Sequence, residues 1–562
     1  MKAHFLPILC CLILSLSANA QIVKVLFTSD VHGALFPYNY VDNTHSENSM
    51  AKVSTFVDSV RAANKHVILL DGGDVLQGSP SVYYYNFIDT ISTHIIPHIY
   101  NYLKYDALCI GNHDIETGHK VYDRVIRQLK SPVLGANAVK SDGTPYFKPY
   151  TIINKGGKRI AIIGLITPHI PHWLTENLWS GMAFEDMVVS AAHWMKVVRE
   201  TEHPDYVIGL FHSGFDYTYG GVNIDTYKNE NASQIVAMRV AGFDLILCGH
   251  DHQLHNEKVT DPNGNIVPIL DSGTGAKNIG QVTITFNGTA RPETKVELAS
   301  VVNKRESDRY LLEFKKEQTE INHYAKTIVG HLENDIVTHE SLFGPSELSD
   351  IVHNTMLKHT GATISITAPL LINVTIPKGE LSIGGMFNIY RYENILTAMS
   401  LTGKEIKDYL EYSYDLWISN PDSTGHLLRL TNRKRLASRY YNLDAAAGIR
   451  YTVNPYEKKG NRVNISTLED GTPFDLDKTY TVAVNSYRAN GGGGHLERGL
   501  GIPHDKIKER ITKVIESDIR GLIINDFLEQ KGKINIKHHD NWKFVPEENV
   551  EPYLNADKKL FE

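Results

Sequence analysis

Six short apolar runs recur along the first half of the chain, and each stops at a polar or glycine-containing segment. Longer stretches with apolar residues at helical spacing lie between them. Short buried runs of this kind are typical of strands in a largely parallel sheet that is covered on both faces. Their alternation with helices predicts an α/β layer fold over residues 21–300. The predicted strands are Ile22–Phe27, Val67–Leu70, Ala107–Ile110, Ile160–Leu165, Tyr206–Phe211 and Asp244–Cys248, and the predicted helices are Met50–Asn64, Lys120–Leu129, Met187–Glu202 and Asn231–Ala241.

The second half of the chain mixes its elements differently. Residues 301–327 are charged, with Leu, Phe and Ile at helical spacing, and this pattern predicts a linker helix. A smaller α+β domain is predicted over 328–536, followed by a polar tail over 537–562 that we expect to be loosely held. The predicted elements of this domain include helices over Ser346–Thr360, Gly403–Tyr414 and Asp505–Lys531 and a strand over Thr479–Val484.

The N-terminus has the pattern of a signal peptide. Lys2 precedes an apolar stretch over Phe5–Leu16, and Ala18-Asn19-Ala20 forms a small-residue cleavage site before Gln21. We therefore expect residues 1–20 to be removed and the protein to be exported, to the periplasm or else to the medium or cell surface. A retained anchor helix and lipidation at Cys10 or Cys11 are the alternatives. No other stretch approaches the length of a membrane span.

Composition limits the partners of the chain. It carries 57 Lys and Arg against 64 Asp and Glu, without a long basic block, so polynucleotide binding is not expected. Beyond the leader only Cys109 and Cys248 remain. Lone buried thiols are the simpler interpretation, and a disulfide would require their strands to be close. The oligomeric state is left open.

Five of the six predicted strands run directly into residues that can bind metal ions. Because ligands of parallel sheets gather beyond the carboxyl ends of the strands, these side chains should converge. Each motif alone is more often a turn or a surface histidine, but the ordered set is specific. Oxygen and imidazole donors together suit Mn²⁺, Zn²⁺, Fe²⁺ or Co²⁺ better than Ca²⁺. The seven candidates are enough for two ions, with Asp74 as the expected bridge. They are Asp30, His32, Asp74, Asn112, His212, His250 and His252.

This series resembles the calcineurin-like metallophosphoesterases across the whole first domain. The resemblance implies a four-layer αββα domain and two divalent cations. It places one ion on Asp30, His32, Asp74 and His252, and the other on Asp74, Asn112, His212 and His250. Some close relatives carry Gln where this chain has His252. Paired cations lower the pKa of a shared water, so the resemblance implies attack of hydroxide on phosphorus.

His113 stands beside Asn112 and has no place among the predicted ligands. The resemblance assigns it to the phosphoryl group or the leaving oxygen, where a carboxylate should orient it. In the nucleotidase relatives that acid is an Asp three residues after the His, and here this position is Glu116. Asp114 is a competing candidate. Capping of the following helix is the structural alternative for both acids.

Two segments of the second domain resemble those of 5′-nucleotidase-type enzymes. They are Phe387–Asn394 and Asn485–Gly494, and in those enzymes one aromatic residue from each segment sandwiches the base. The resemblance therefore predicts a nucleotide-binding domain in which Tyr392 and Tyr487 stack on the base. Asn394 would contact the base edge or ribose, and Arg488 is a further candidate for substrate binding. If 5′-nucleotides are preferred, Arg391 or Arg488 would bind the phosphate. The alternative is that these tyrosines are core residues.

One departure from the family pattern bears on the substrate. Enzymes that cut 5′-mononucleotides carry an Arg-containing glycine run ahead of the first aromatic segment, whereas this chain has Thr367–Ile372 without Arg or Gly. The ending of Asn485–Gly494 also resembles the 2′,3′-cyclic-nucleotide 2′-phosphodiesterase/3′-nucleotidase branch. We expect that branch, serving nucleotide catabolism and phosphate scavenging. A 5′-nucleotidase, a hydrolase of nucleotide sugars or thiosulfate-type substrates, and a non-catalytic nucleotide-binding protein are the alternatives.

Overall fold

The computed structural model describes residues 21–288 and 291–561, so the predicted signal peptide lies outside the described residues. The first domain contains two six-stranded sheets, and all six predicted strands are present. In spatial order one sheet is Glu293–Ser300, Asn278–Phe286, Gln21–Thr28, Val67–Asp71, Ala107–Cys109 and Val133–Leu134. The other is Leu254–Thr260, Ile266–Ser272, Leu245–Cys248, Tyr206–His212, Lys158–Ile166 and Tyr150–Lys155.

The two sheets pack face to face around a shared apolar core. Phe27, Leu70, Ile162, Ile208 and Leu247 are fully buried between them. The central strands pair in parallel, as at Thr28 with Asp71, so their carboxyl ends lie at one edge. Helices cover both outer faces and complete the predicted four-layer arrangement. They include Met50–Ala63, Ile95–Leu103, His119–Gln128, Met187–Thr201 and Ser233–Arg239.

The predicted linker helix is in fact two short helices, Asp308–Glu313 and Lys315–Ala325, which meet at Phe314. The apolar residues that predicted the helix explain its position. Tyr310, Phe314 and Ile321 are fully buried in the core of the first domain. The two linker helices therefore pack on the first domain through these buried side chains.

The second domain is built on a five-stranded mixed sheet. Its spatial order is Ala445–Ala447, Ile364–Thr367, Thr479–Asn485, Ile395–Thr402 and Ile511–Asp518. The helices Glu347–Thr360, Gly403–Trp417 and Ile519–Glu529 pack around it. The predicted helix over Asp505–Lys531 is interrupted, because residues 511–518 form an edge strand. The first half of this segment is rich in β-branched residues, which favour strands over helices.

The tail also differs from its prediction. Trp542–Phe544 forms a strand beside Ile449–Val453, and the helix Glu547–Lys558 follows. Trp542 and Phe544 are buried in the core of the second domain, and the buried carboxylate of Asp557 accepts a hydrogen bond from the backbone N–H of Leu428. These apolar anchors hold the segment in place.

Short elements complete the architecture. Two-residue and longer strand pairs are Tyr38–Asn39 with Thr44–His45, Ala138–Val139 with Ala183–Phe184, Ile328–Leu332 with Gly379–Ser382, and Ile336–Val337 with Thr375–Ile376. Short helices near the domain interface are Pro80–Tyr83, Asn112–Glu116, Ile170–Trp173, Met386–Ile389, Ser486–Ala489 and His504–Ile507. Among the described residues, no helix combines the length and apolar content needed to cross a membrane. Cys109 and Cys248 are buried free thiols.

Candidate active site

The predicted ligands lie at or just after the carboxyl ends of the parallel strands, and five of them have a left-handed backbone. The φ angle is 51° at Asp30, 48° at His32, 56° at Asp74, 89° at His250 and 60° at His252. A residue with a side chain adopts this region at a cost of about 1–3 kcal/mol, and such strain gathers at functional sites. These backbone conformations cost energy locally, and they direct the ligand side chains toward a common point.

One group of ligands converges around two imidazoles. Nε2 of His32 and Nε2 of His252 are 3.0 Å apart, and Nε2 of His252 is 3.4 Å from Oδ1 of Asp30. Asp74 completes the group, with one donor atom from each residue within 4.8 Å of the others. The second nitrogen of His32, Nδ1, lies 3.1 Å from the carbonyl oxygen of Gln77. Donation to this carbonyl leaves Nε2 with a lone pair that faces the group.

A second group of ligands shares Asp74. Nε2 of His212 is 3.1 Å from Oδ2 of Asp74 and 3.0 Å from Oδ1 of Asn112, and Nδ1 of His250 is 2.8 Å from the same Asn112 oxygen. Gly111 permits this approach, since a Cβ there would lie 2.1 Å from Oδ1 of Asp74. Asp74 therefore belongs to both groups.

Outer contacts fix the imidazoles of the second group. Nδ1 of His212 is 2.7 Å from the carbonyl oxygen of Gly72, and Nε2 of His250 is 3.2 Å from a carboxylate oxygen of Glu230. Such partners orient a ligand histidine and strengthen it as a donor. The sequence analysis did not identify Glu230. It lies in an irregular loop, where an acidic residue has no pattern that distinguishes it from a solvent-exposed one.

The structure separates the roles of the two acids near His113. Oε2 of Glu116 is 2.5 Å from Nδ1 of His113, one turn along the same short helix. Asp114 faces the other way, and its carboxylate accepts hydrogen bonds from the backbone N–H groups of Gly111, Asp74, Val75 and Leu76. Glu116 thus orients His113, whereas Asp114 shapes the loop that carries Asp74.

The second domain places one aromatic ring beside this pair. The Tyr392 ring lies parallel to the His113 imidazole, with centroids 6.3 Å apart and planes at 9°. His113 in turn contacts the His32 ring edge-on at 5.4 Å. Tyr487 is half-buried and meets Tyr441 edge-on at 6.4 Å. Tyr392 therefore links the second domain to the ligand cluster.

The other two residues assigned to the substrate pocket are held within the protein. Asn394 is buried and donates to the hydroxyl of Tyr390 at 3.3 Å. The Arg488 guanidinium is 2% exposed and pairs with Asp444 at 2.7 and 3.1 Å, while further donors reach backbone carbonyls of residues 441 and 492. With its donors engaged in this way, Arg488 fixes the turn that carries Tyr487.

A buried ion pair holds the Tyr392 segment. Arg520 binds Glu393 at 2.5 Å and donates to the carbonyl oxygen of Tyr390 at 3.0 Å. Its guanidinium carbon lies 3.7 Å from the Phe387 ring centroid and 4.5 Å from that of Tyr83 in the first domain. The arginine therefore ties the aromatic segment to the surface of the first domain.

Comparisons with known proteins agree with this architecture. The family model for calcineurin-like phosphoesterases matches residues 23–254, and the model for the 5′-nucleotidase C-terminal domain matches residues 328–498. The chain belongs to the calcineurin-like phosphoesterases that carry a 5′-nucleotidase C-terminal domain. Within the family, it is a metal-dependent phosphoesterase of the nucleotidase type.

Relatives extend the comparison over most of the chain. The trifunctional nucleotide phosphoesterase protein YfkN of Bacillus subtilis is 26% identical over 94% of this chain, which spans only 39% of that protein. A 2′,3′-cyclic-nucleotide 2′-phosphodiesterase/3′-nucleotidase of Haemophilus influenzae is 24% identical, covering 97% of this chain and 92% of the relative. The crystal structure of a 5′-nucleotidase precursor from Thermus thermophilus shares the fold, with a TM-score of 0.65, 22% identity, and coverage of 94% of this chain and all of that one.

The residues present fit the divalent cations that this calcineurin-like family implies. Oδ2 of Asp74 is fully buried and lies 3.1 Å from Nε2 of His212, whose Nδ1 faces the carbonyl oxygen of Gly72. Burial lowers the pKa of His212, but the Asp74 carboxylate outweighs it and raises that pKa to about 10. The cluster thus stabilises positive charge at the point where its donor atoms converge. Protons and metal ions compete for such atoms.

Proposed function

We propose that this chain hydrolyses nucleotide phosphate esters at a dinuclear metal centre, with 2′,3′-cyclic nucleotides and 3′-nucleotides as the preferred substrates. The observation that carries the proposal is the meeting of three components at one edge of the first domain. The ligand cluster lies next to the His113–Glu116 pair, and the Tyr392 ring of the second domain lies next to that pair. A phosphate at the cluster would have a proton donor and an aromatic surface beside it.

The two groups of side chains would each hold one cation, with Asp74 common to both. When bound, two divalent cations lower the pKa of a shared water and compensate charge on phosphoryl oxygens. The chain itself controls the position of a proton. Because Nδ1 of His113 donates to Glu116, its Nε2 is left to contact the phosphoryl group or the departing oxygen. Glu116 keeps the imidazole in this orientation and stabilises its charged form.

The base would be bound by the second domain. A Tyr ring offers a stacking surface that tolerates different bases and contributes roughly 1–3 kcal/mol per base. We assign this role to Tyr392 and Tyr487, which belong to the two segments that the family uses. Asn394 and Arg488 support these segments from within, through Tyr390 and Asp444. In the proposal they act as positioning residues for the pocket.

The preference for cyclic and 3′ esters has two supports. The segment Thr367–Ile372 has no Arg or Lys side chain that could bind a phosphate, and Ala368 and Leu370 are buried. The Haemophilus relative, which this chain matches over nearly its whole length, is named for the 2′,3′-cyclic and 3′ activities. We also propose that the protein is exported, on the strength of the leader pattern before Gln21.

Cleavage of 5′-nucleotides is the second candidate. It is favoured by the match to the 5′-nucleotidase C-terminal domain and by Arg391, an exposed cation beside Tyr392 that would take over phosphate binding. Hydrolysis of nucleotide sugars at the same cluster is a variant of this candidate.

One assay distinguishes the candidates. The purified mature chain with Mn²⁺ is given 3′-AMP, 5′-AMP and 2′,3′-cyclic AMP, and products are separated by chromatography. The proposal expects faster turnover of the 3′ and cyclic esters. A preference for 5′-AMP that disappears in Arg391→Ala would establish the second candidate. Absence of turnover on all three, with p-nitrophenyl phosphate still cleaved, would exclude simple nucleotides as substrates.

A further inference from the structure

A second set of metal-type ligands lies across the domain interface, apart from the seven residues of the candidate active site. It consists of His172 from the first domain and Glu497 and His504 from the second. One donor atom from each residue lies within 4.8 Å of the others. The His172 and His504 rings are 4.0 Å apart at their centroids, and Nδ1 of His504 is 2.5 Å from Oε1 of Glu497. We propose that this triad is a binding site for a transition-metal ion, with zinc as the most suitable, that joins the two domains.

The donor set fits such an ion. Two imidazoles and one carboxylate are the protein ligands of one well-known class of zinc site, which keeps a fourth position open. Burial and the neighbouring imidazoles of His169 and His504 lower the pKa of His172 to about 4, so its ring is neutral at pH 7. A hydrogen bond from His504 lowers the pKa of Glu497 below its ordinary value, so it is a carboxylate. Within the described chain, no protein group hydrogen-bonds to the His172 ring, which leaves its lone pair available.

The surrounding elements hold the ligands in place. His172 lies in the short helix Ile170–Trp173, and Trp173 of that helix stacks on His250 at 5.5 Å. On the other side, Glu497 follows the glycine run and His504 begins the helix His504–Ile507. All three residues are only partly buried, so an ion can reach the site from solvent.

A cation bound here would act on the arrangement of the domains. Its ligands come from both domains, so the full set exists only when the domains are placed as described. By linkage, the ion stabilises that arrangement to the extent that it binds this arrangement more tightly than the others. The arrangement is the one that sets Tyr392 beside His113. Zinc binding by the triad does not depend on the proposed activity, and the two can fail separately.

The test is a zinc titration of the full chain, with the active-site ions weakened by Asp74→Asn. After chelation and dialysis, zinc is added in competition with a chromophoric chelator, and bound zinc is also counted by elemental analysis. The proposal expects one equivalent of zinc to bind to the triad of the Asp74→Asn chain. This binding should be lost when His172→Ala and His504→Ala are added to that chain. The loss of affinity should exceed the roughly 10–100-fold that removal of an outer-shell partner causes. His193→Ala, which removes an exposed histidine of helix Met187–Thr201, is the matched control and should change nothing.

A second readout guards against misfolded variants. Zinc should raise the thermal unfolding midpoint of the Asp74→Asn chain, and the milder variant His504→Asn should remove that increase without lowering the midpoint of the zinc-free chain. Equal zinc binding in the presence and absence of the His172 and His504 rings would overturn the proposal. So would a zinc-dependent increase in the midpoint that is as large with His504→Asn as without it.

Discussion

Replacing Glu116 with Gln tests how the protein positions its candidate proton donor. Glutamine keeps the size of the side chain but loses the charge 2.5 Å from Nδ1 of His113, at a carboxylate that is only 8% exposed. A hydrogen bond between charged groups contributes about 1.5–3 kcal/mol net. At about 1.4 kcal/mol per tenfold change in rate, kcat for 3′-AMP should fall about 10- to 150-fold. KM should change by less than about threefold, because Glu116 has no place against the substrate.

The choice of substrate shows what His113 does. If His113 protonates the leaving oxygen, Glu116→Gln should harm p-nitrophenyl phosphate much less than 3′-AMP, because p-nitrophenolate leaves without needing a proton. Glu116→Asp retains the charge and should recover part of the activity, and Glu200→Gln, on an exposed helix face, should behave as wild type. A Glu116→Gln enzyme with unchanged kcat on 3′-AMP would refute the orienting role. Loss of bound metal would mean that the pair belongs to the ligand cluster.

Three further variants separate neighbouring roles. Asp114→Asn removes acceptor capacity from a carboxylate that binds four backbone N–H groups, at about 1–3 kcal/mol for each one left unpaired, so the unfolding midpoint should fall further than in Glu116→Gln, which weakens a single hydrogen bond. Glu230→Gln should weaken binding of the second metal ion about 10- to 100-fold in a metal titration, and equal affinity would exclude an outer-shell role. Tyr487→Ala should raise KM for nucleotides by about 5- to 150-fold, the equivalent of 1–3 kcal/mol of stacking, and leave KM for p-nitrophenyl phosphate nearly unchanged. Equal effects on both substrates would remove the stacking role.

The first domain and its ligands were predictable because each signal is local. A buried strand of a parallel sheet ends where its apolar run ends, and the next residues must lie at the same edge as those of its neighbours. Asp30, Asp74 and His212 could therefore be placed together without knowledge of the intervening chain. The predicted helix Met50–Asn64 was found over Met50–Ala63 for a similar reason, with Ser49 as its N-terminal cap.

Contacts between distant segments were not predictable in this way. The partner of His250, Glu230, lies in a loop without a period, and the ion pair of Arg520 with Glu393 joins positions far apart in the chain. Which of Asp114 and Glu116 contacts His113 depended on the side of the short helix from which each carboxylate projects. Arg488 appeared to be a substrate residue from its motif, yet its donors face Asp444, an acid that no nearby motif indicated.

The C-terminal tail is a second region in which the sequence did not predict contacts with distant segments. Its polar composition predicted loose packing, but Trp542 and Phe544 are enough to anchor it as an added strand. Two aromatic residues change the mean hydropathy of the whole tail only slightly. They matter much more in the structure, where each fills the core beside Ile449–Val453.

Metal dependence is the most direct test of the central claim. The purified chain is assayed for phosphate release from 3′-AMP before chelation with EDTA, after it, and after addition of Mn²⁺, Co²⁺ or Zn²⁺, with bound metal counted at each stage. The account predicts that activity disappears with the metal, returns with two ions per chain, and does not return in Asp74→Asn. Activity that persists in the metal-free protein, or that Asp74→Asn leaves intact, would contradict it.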